Sequence, residues 1–297
     1  MTNSLHVDAV SRRFGDRQVL KDVSFTVGAG RMTGFVGANG AGKTTTMRIM
    51  LGVLAPDSGQ VTWGGAPLTR QDRQRFGYLP EERGLYPKMT VAEQLVYLGQ
   101  LHGMRRADAR RATTALLDRL GVAERAGEQV EKLSLGNQQR VQVAAALVHD
   151  PEVLVLDEPF SGLDPVAVDV VVGVLRERAA KGVPVLFSSH QLDVVERLCD
   201  DLVIIADGVI RAAGSRLSLR ADYAMPRFSL QVDGDAGWLR DCKGVTLVDL
   251  DGPRAVFDLA ADADEQSILR EALHRGPVRS FGAVTPSLAD IFREVTK

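Results

Sequence analysis

Near its start the chain places apolar residues at every second position: Leu5, Val7 and Ala9, then Val23, Phe25 and Val27. That is the period of a half-buried strand, and the two runs predict strands joined by a turn around Gly15-Asp16. Residues 32–36 form a short apolar run that leads straight into glycines, a buried strand entering a loop. From Thr45 to Leu54 the spacing turns helical, with Met47, Met50, Leu51 and Leu54 on one side. Residues 90–148 read as mostly helical. There Thr90 with Glu93 three residues on makes a capping box, and 105–120 is rich in Ala, Arg and Leu. An apolar strand at 153–156, a helix at about 165–180 and a strand at 183–187 follow. Runs at 202–205 and 209–213 flank Asp207-Gly208, a strong hairpin dipeptide. Alternating buried strands and helices predict a parallel α/β sheet.

After about Ser218 the pattern changes. It predicts strand 227–232, a short helix near 235–242, strand 245–250, a turn at Asp251-Gly252, strand 254–259, helix 264–275 and strand 278–283. Thr285-Pro286 is expected to open a last helix, with proline at its first position. The first six of these elements give the β-α-β-β-α-β order of a ferredoxin-like unit. A second, small α+β domain is therefore expected at 219–297, after a larger one at 1–218.

The 297 residues include 36 Lys+Arg and 38 Asp+Glu, a formal charge of −2, so no basic excess points to nucleic acid as a partner. Cys199 and Cys242 stand alone, against a zinc module or a disulfide scaffold. A chain of this length buries roughly 75% of its unfolded surface and needs neither. Residues 1–8 lack the basic and apolar segments of a signal peptide. A membrane helix needs about 20 apolar residues, and runs such as 202–206 are far shorter. Work at a membrane would require a partner.

Residues 37–44, Gly-Ala-Asn-Gly-Ala-Gly-Lys-Thr, fit G-x-x-x-x-G-K-[ST] between a strand and a helix. Gly37, Gly40 and Gly42 let successive N–H groups around Asn39 converge on phosphate oxygens, and the helix N-terminus adds its dipole beside Thr45. Lys43 can reach β- and γ-phosphates and the Thr44 hydroxyl a Mg²⁺ ion. At the end of strand 153–156 stand Asp157 and Glu158. Ligands of open α/β sheets bind at that edge, where Asp157 suits Mg²⁺ and Glu158 a base for an attacking water. Strands 32–36 and 153–156 are expected as neighbours, each delivering its group to one edge.

Three further motifs complete the series: Leu133-Ser-Leu-Gly-Asn-Gln-Gln-Arg140, Ser161-Gly-Leu-Asp164 and Ser188-Ser-His190. Taken in order, the set closely resembles the ATP-binding-cassette (ABC) ATPases across residues 1–215. The resemblance implies a P-loop fold with a RecA-like parallel sheet, an antiparallel β subdomain and a helical subdomain at about 90–148. It also implies a head-to-tail dimer, with ATP between the phosphate loop of one cassette and the signature of the other. Ser134 reads as the N-cap of a helix through Val148, and with Gly136 and Asn137 it makes an anion site suited to a partner's γ-phosphate. His190 is either a surface or satisfied core histidine or, from its place at the same sheet edge, a γ-phosphate contact. Asp164 serves as a helix cap, a dimer contact or both. Phe14 matches the family's adenine-stacking aromatic, or is a half-buried strand residue.

Two motifs depart from the family pattern. Leu135 and Asn137 replace a Gly and the Gln of Leu-Ser-Gly-Gly-Gln, and Glu81 stands for the usual lid-loop Gln. Glu81 can still bind Mg²⁺ through oxygen, but it loses an amide donor and adds charge. Residues 77–91, with Leu85-Tyr-Pro87, resemble the segment that docks on a membrane partner, although loop packing also explains Leu85 and Tyr86. The C-terminal ending, 286–292, resembles the multidrug- and sodium-exporting branch. The resemblance thus implies an exporter ATPase at the cytoplasmic face of the membrane, working with a separate permease chain and a second cassette, identical or not. A soluble ABC protein would usually carry two cassettes, coiled-coil insertions or zinc modules, none of which is seen. An importer ATPase is the third reading.

Overall fold

The computed structural model describes residues 3–82, 84–223, 226–260, 262–284 and 287–296. The chain divides after Arg216 into two compact units.

In the first unit, strands β1 (Leu5–Phe14) and β2 (Arg17–Val27) form the expected hairpin. The alternation breaks at Ala9, which is exposed and left-handed (φ 47°), and Val10 takes the buried place instead. A bulge between Val7 and Val10 inserts the extra residue. β4 (Ser58–Trp63) and β5 (Ala66–Pro67), not foreseen from the pattern, extend this antiparallel sheet to the order β2-β1-β4-β5.

The second sheet of this unit has six strands. They are β3 (Met32–Val36), β6 (Phe76–Leu79), β7 (Val153–Leu156), β8 (Val185–Ser189), β9 (Asp201–Ala206) and β10 (Val209–Ser215), in the order β10-β9-β3-β8-β7-β6. All pair in parallel except the β9–β10 hairpin, which turns at Asp207-Gly208 with both φ positive. β3 and β7 are therefore not the neighbours expected above, because β8 lies between them. Strand order depends on where each crossover returns, which local pattern does not encode. β8 also starts two residues late and runs through Ser189. Pro184 lacks an N–H for the ladder, but its carbonyl still accepts from Leu154.

Helix α1 (Lys43–Met50) stops short of Leu54 and packs Met47, Ile49 and Met50 into a core shared by both sheets, with Leu5, Val27, Phe35 and Ile205. α2 (Arg70–Arg73) is a single turn capped by Thr69. α3 (Val91–Leu101) opens on the reciprocal Thr90–Glu93 box, α4 (Arg106–Arg119) follows, and α5 (Leu135–Leu147) opens on Ser134. α5 is buried nearly all round, through Gln139, Val141, Gln142, Val143, Ala144, Ala146 and Leu147, so an apolar stripe alone understated it. α6 (Pro165–Ala180) starts at proline, and α7 (Leu192–Leu198) was not foreseen.

α8 (Arg216–Asp222) spans the division. The second unit has β11 (Arg227–Val232), a 3₁₀ turn at Gly237–Asp241 in place of the expected helix, β12 (Val245–Asp251), β13 (Arg254–Leu259), α9 (Glu265–Arg275) and β14 (Val278–Ala283). The sheet is antiparallel, in the order β12-β13-β11-β14, over a core of Leu230, Phe257, Leu259, Ile268 and Ala272. The expected Thr285-Pro286 opening lies outside the described residues. α10 (Leu288–Val295) follows Ser287, whose hydroxyl accepts from the Asp290 N–H (3.2 Å) while the Asp290 carboxylate accepts from the Ser287 N–H (3.0 Å).

In the first unit, the His102 and His149 rings stack at 3.6 Å, 14° from parallel. His149 Nε2 donates to the Phe76 carbonyl (3.1 Å), and its buried Nδ1 has no partner among the described residues. Burial first, then His102, pushes the His149 imidazole down from 6.5 to about 4; the Phe76 bond and Asp150 oppose this and Arg178 adds to it. The unfolded chain thus takes up a proton below pH 6.5 that the folded chain refuses until about pH 4, so this group costs stability as pH falls through that window. His149→Asn should show a smaller fall in urea midpoint between pH 6.5 and 4 than the unsubstituted protein. Parallel midpoint-against-pH curves would contradict the assignment.

Candidate active site

The sequence between β3 and α1 folds into a loop because glycine alone fits two of its positions. A Cβ on Gly37 would lie 2.5 Å from the Ile205 carbonyl oxygen. Gly42 has φ 111°, and a Cβ there would lie 2.5 Å from Leu20. Gly42 also caps α1 without a side chain, which leaves the first-turn N–H groups available. Lys43 is buried and curls back, its Nζ donating to the carbonyls of Gly37 (2.6 Å) and Ala38 (3.3 Å). An ammonium resting on neutral carbonyls can exchange them for phosphate oxygens, a stronger charge-assisted pairing.

β7 delivers Asp157 and Glu158 at the same sheet edge. The buried Asp157 carboxylate accepts from two hydroxyls, Thr44 Oγ1 on Oδ2 (2.8 Å) and Ser188 Oγ on Oδ1 (2.5 Å). Its N–H donates to Leu79 O (2.7 Å), fixing the turn at the end of β7. Glu158 is left-handed (φ 53°), and its N–H donates to Ser188 Oγ (2.9 Å). Its side chain is 15% exposed and meets His190 Nδ1 at 2.9 Å, whereas His190 is 60% exposed. The histidine is thus neither a lone surface residue nor a core one. It stands over the carboxylate, where it can hold the Glu158 side chain in one rotamer.

A cleft of about 610 Å³ collects these groups. Phe14, Asn39, Gly40, Gly42, Lys43, Thr44, Thr45, Glu81, Asp157 and Glu158 line it, together with Arg17, Val19 and Arg48. Phe14 is 48% exposed, with the Arg12 guanidinium 4.9 Å from its ring. Sequence reasoning missed Arg17, Arg48 and the part played by Ser188. Arg17 was findable, since it faces Phe14 across the hairpin turn. Arg48 lies one helical turn beyond Thr44 and so on the same face. Burial pushes the Tyr78 phenol up, Asp157 and Glu81 push the same way and Arg48 opposes them, so a protonated hydroxyl stands amid these charges.

The cleft therefore gathers three carboxylates and three cations. Carboxylates facing a polyphosphate repel it unless a cation intervenes, and the oxygens of Thr44, Asp157 and Glu81 could hold a hard one. Among the described residues no group of three or more His, Cys, Asp or Glu could hold a metal by itself.

Ser134, Gly136, Asn137 and Asp164 do not line this cleft. Ser134 Oγ accepts from the Asn137 N–H at the start of α5 (3.4 Å), and Asp164 Oδ1 accepts from the Ala167 N–H at the start of α6 (2.8 Å). The two caps adjoin, since a Cβ on Gly136 would lie 3.2 Å from the Gly162 carbonyl oxygen. Leu135 stands 60% exposed beside them.

Residues 20–161 match the ABC transporter family, and residues 214–296 match the C-terminal domain of DrrA1-3-like ATP-binding proteins. YhaQ, an uncharacterized ABC transporter ATP-binding protein of Bacillus subtilis, is 38% identical over 98% of this chain and 97% of its own length. The Nod factor export ATP-binding protein I of Burkholderia lata is 42% identical over 69% of each chain. The solved ATP-binding subunit of an ABC transporter superposes with a TM-score of 0.69 at 33% identity, covering 74% of this chain and 92% of that one.

Replacing the ammonium that lies on the loop carbonyls tests the cleft directly. Lys43→Ala should weaken ATP binding by roughly 10- to 100-fold in titration calorimetry, the size of one lost charge-assisted bond. Equal affinities would contradict the phosphate-loop assignment.

Proposed function

The chain belongs to the ABC transporter ATP-binding proteins and is an ATPase, and from that premise we propose that it powers export through a separate membrane-spanning subunit. ATP lies with adenine against Phe14 and its phosphates on the loop amides of Gly40 and Gly42 and on Lys43, with Asn39 and Thr45 at the rim. Thr44, Asp157 and, through its carboxylate, Glu81 hold Mg²⁺, which supplies charge neutralisation at the β- and γ-phosphates. Glu158 orients the attacking water and takes its proton, and His190 holds that carboxylate and meets the γ-phosphate. Ser134 and Gly136, with Asn137, close the site of a second cassette, and Asp164 lies at the same contact.

One observation carries this reading. The loop, Lys43, Thr44, Asp157 and Glu158 share one cleft, while the signature helix start, where Ser134 caps its own first turn, sits outside it. A second copy in head-to-tail orientation gives both half-sites an occupant. Several features support export through a partner. No described helix is long and apolar enough to cross a membrane. An apolar groove of about 370 Å³, lined by Leu51, Val53, Pro80, Leu85 and Leu98, opens beside the lid loop and suits a partner helix. Tyr86 stands exposed near it. The Nod factor relative and the DrrA-like C-terminal match favour the export branch, and with it a place on the cytoplasmic face of the membrane.

Glu158→Gln keeps the shape of the side chain and removes its basicity. It should bind ATP normally, lose about 10²- to 10⁴-fold in turnover and accumulate an ATP-bound dimer in size-exclusion chromatography. Turnover within about threefold of the parent would exclude Glu158 as the base. A membrane-spanning chain with about six apolar helices should co-purify; a ribosome or a DNA complex in its place would contradict the export reading.

A further inference from the structure

The turn that carries Glu158 is held in an unfavourable conformation, and two side chains remote from each other in sequence hold it. A non-glycine residue at φ 53° is sterically unfavourable and persists only where its surroundings enforce it. On one side, Ser188 Oγ accepts the Glu158 N–H (2.9 Å) while donating to Asp157 Oδ1 (2.5 Å). On the other, Gln139 Nε2 donates to the carbonyls of Glu158 (3.2 Å) and Pro159 (3.0 Å). The Ser161 N–H adds one bond to the Glu158 carbonyl (3.2 Å). Ser188 is fully buried and Gln139 is 4% exposed, so water competes for none of these side-chain bonds.

We propose that Ser188 and Gln139 form a two-sided clamp on the Glu158 backbone, and that they are positioning residues for hydrolysis. The clamp fixes where the Cα–Cβ bond of Glu158 points. Its carboxylate then needs only His190 to complete its aim. Gln139 also lies on α5, whose first turn carries Ser134 and Gly136. The helix that closes a partner's site thus bears on the base of its own chain through one amide. A displacement of α5 on nucleotide-driven closure would be felt at Glu158.

The proposal rests on Glu158 being the base, and the test separates the two. Full-length Ser188→Ala and Gln139→Met are made alone and on the Glu158→Gln background, with ATP affinity, single-turnover hydrolysis and melting temperature measured on each. Each single variant should lose about tenfold or more in the hydrolysis step with ATP affinity within about threefold. Ser188→Thr, which keeps the hydroxyl, should recover most of the rate. On the Glu158→Gln background neither should cost more than about twofold further, because the group they aim is gone. Ser188 also touches Asp157, so Gln139→Met decides if Ser188→Ala weakens ATP binding, and Gln139→Asn replaces it if the methionine variant does not fold. Rates equal to the parent, or the same loss with and without the Glu158 carboxylate, would overturn the clamp. High turnover by Glu158→Gln itself would instead remove the base assignment on which the clamp rests.

Discussion

The cleft depends on one carboxylate held at both oxygens. Thr44 comes from the first turn of α1, Asp157 from the end of β7 and Ser188 from the penultimate position of β8, and the bonds Thr44–Asp157–Ser188 join them at the sheet edge. Hydrogen bonds to an ionised group contribute about 1.5–3 kcal/mol each, more than neutral ones. With β8 between β3 and β7, this bridge links the phosphate loop to the acidic pair across an intervening strand. Parallel pairing puts the carboxyl ends of β3, β6, β7, β8 and β9 on that edge, so the loop, Glu158 and His190 arrive there by topology. The core of Met47, Phe35 and Ile205 beneath keeps the edge rigid.

The balance of charge then explains what the cleft accepts. Lys43, Arg17 and Arg48 face Glu81, Asp157 and Glu158 around one hollow. A polyphosphate alone meets the cations and is opposed by the acids; a polyphosphate carrying a divalent cation satisfies both. In the proposed reading, Glu81 shifts this balance further toward a bound cation than a glutamine would. Ser134 and Gly136, at the start of α5, do not line that hollow. The proposed function gives the α5 start a use of its own, closing the hollow of another copy.

Much of the candidate site was legible in sequence because its chemistry is local. The phosphate loop, the capping boxes at Thr90 and the caps at Ser134 and Asp164 are each set within a few residues, and each stands where its spacing put it. What required the fold was long-range. The place of β8 between β3 and β7 follows from a crossover, and with it came the burial of Ser188 and its bonds to Asp157 and Glu158. Gln139 reads as one polar residue in a helical repeat until α5 is seen to be covered on nearly every side. Ala9 obeyed a period of two in sequence but broke it in space, because a bulge moved Val10 inward. Arg17 and Arg48 carried no motif of their own; proximity alone made them part of the cleft.

The central claim is that each working site is shared between two chains. Mixing two defective chains tests it most directly, with Lys43→Ala as one and Ser134→Arg as the other. In a mixed dimer one composite site collects both lesions and the other collects neither. ATPase activity, measured in the assembled transporter after subunit exchange, should rise well above that of either variant alone. No gain, with mixed dimers shown to form and Glu158→Gln chains still dimerising on ATP when they also carry Ser134→Arg, would mean that the signature start closes no partner's site, and the account would fail.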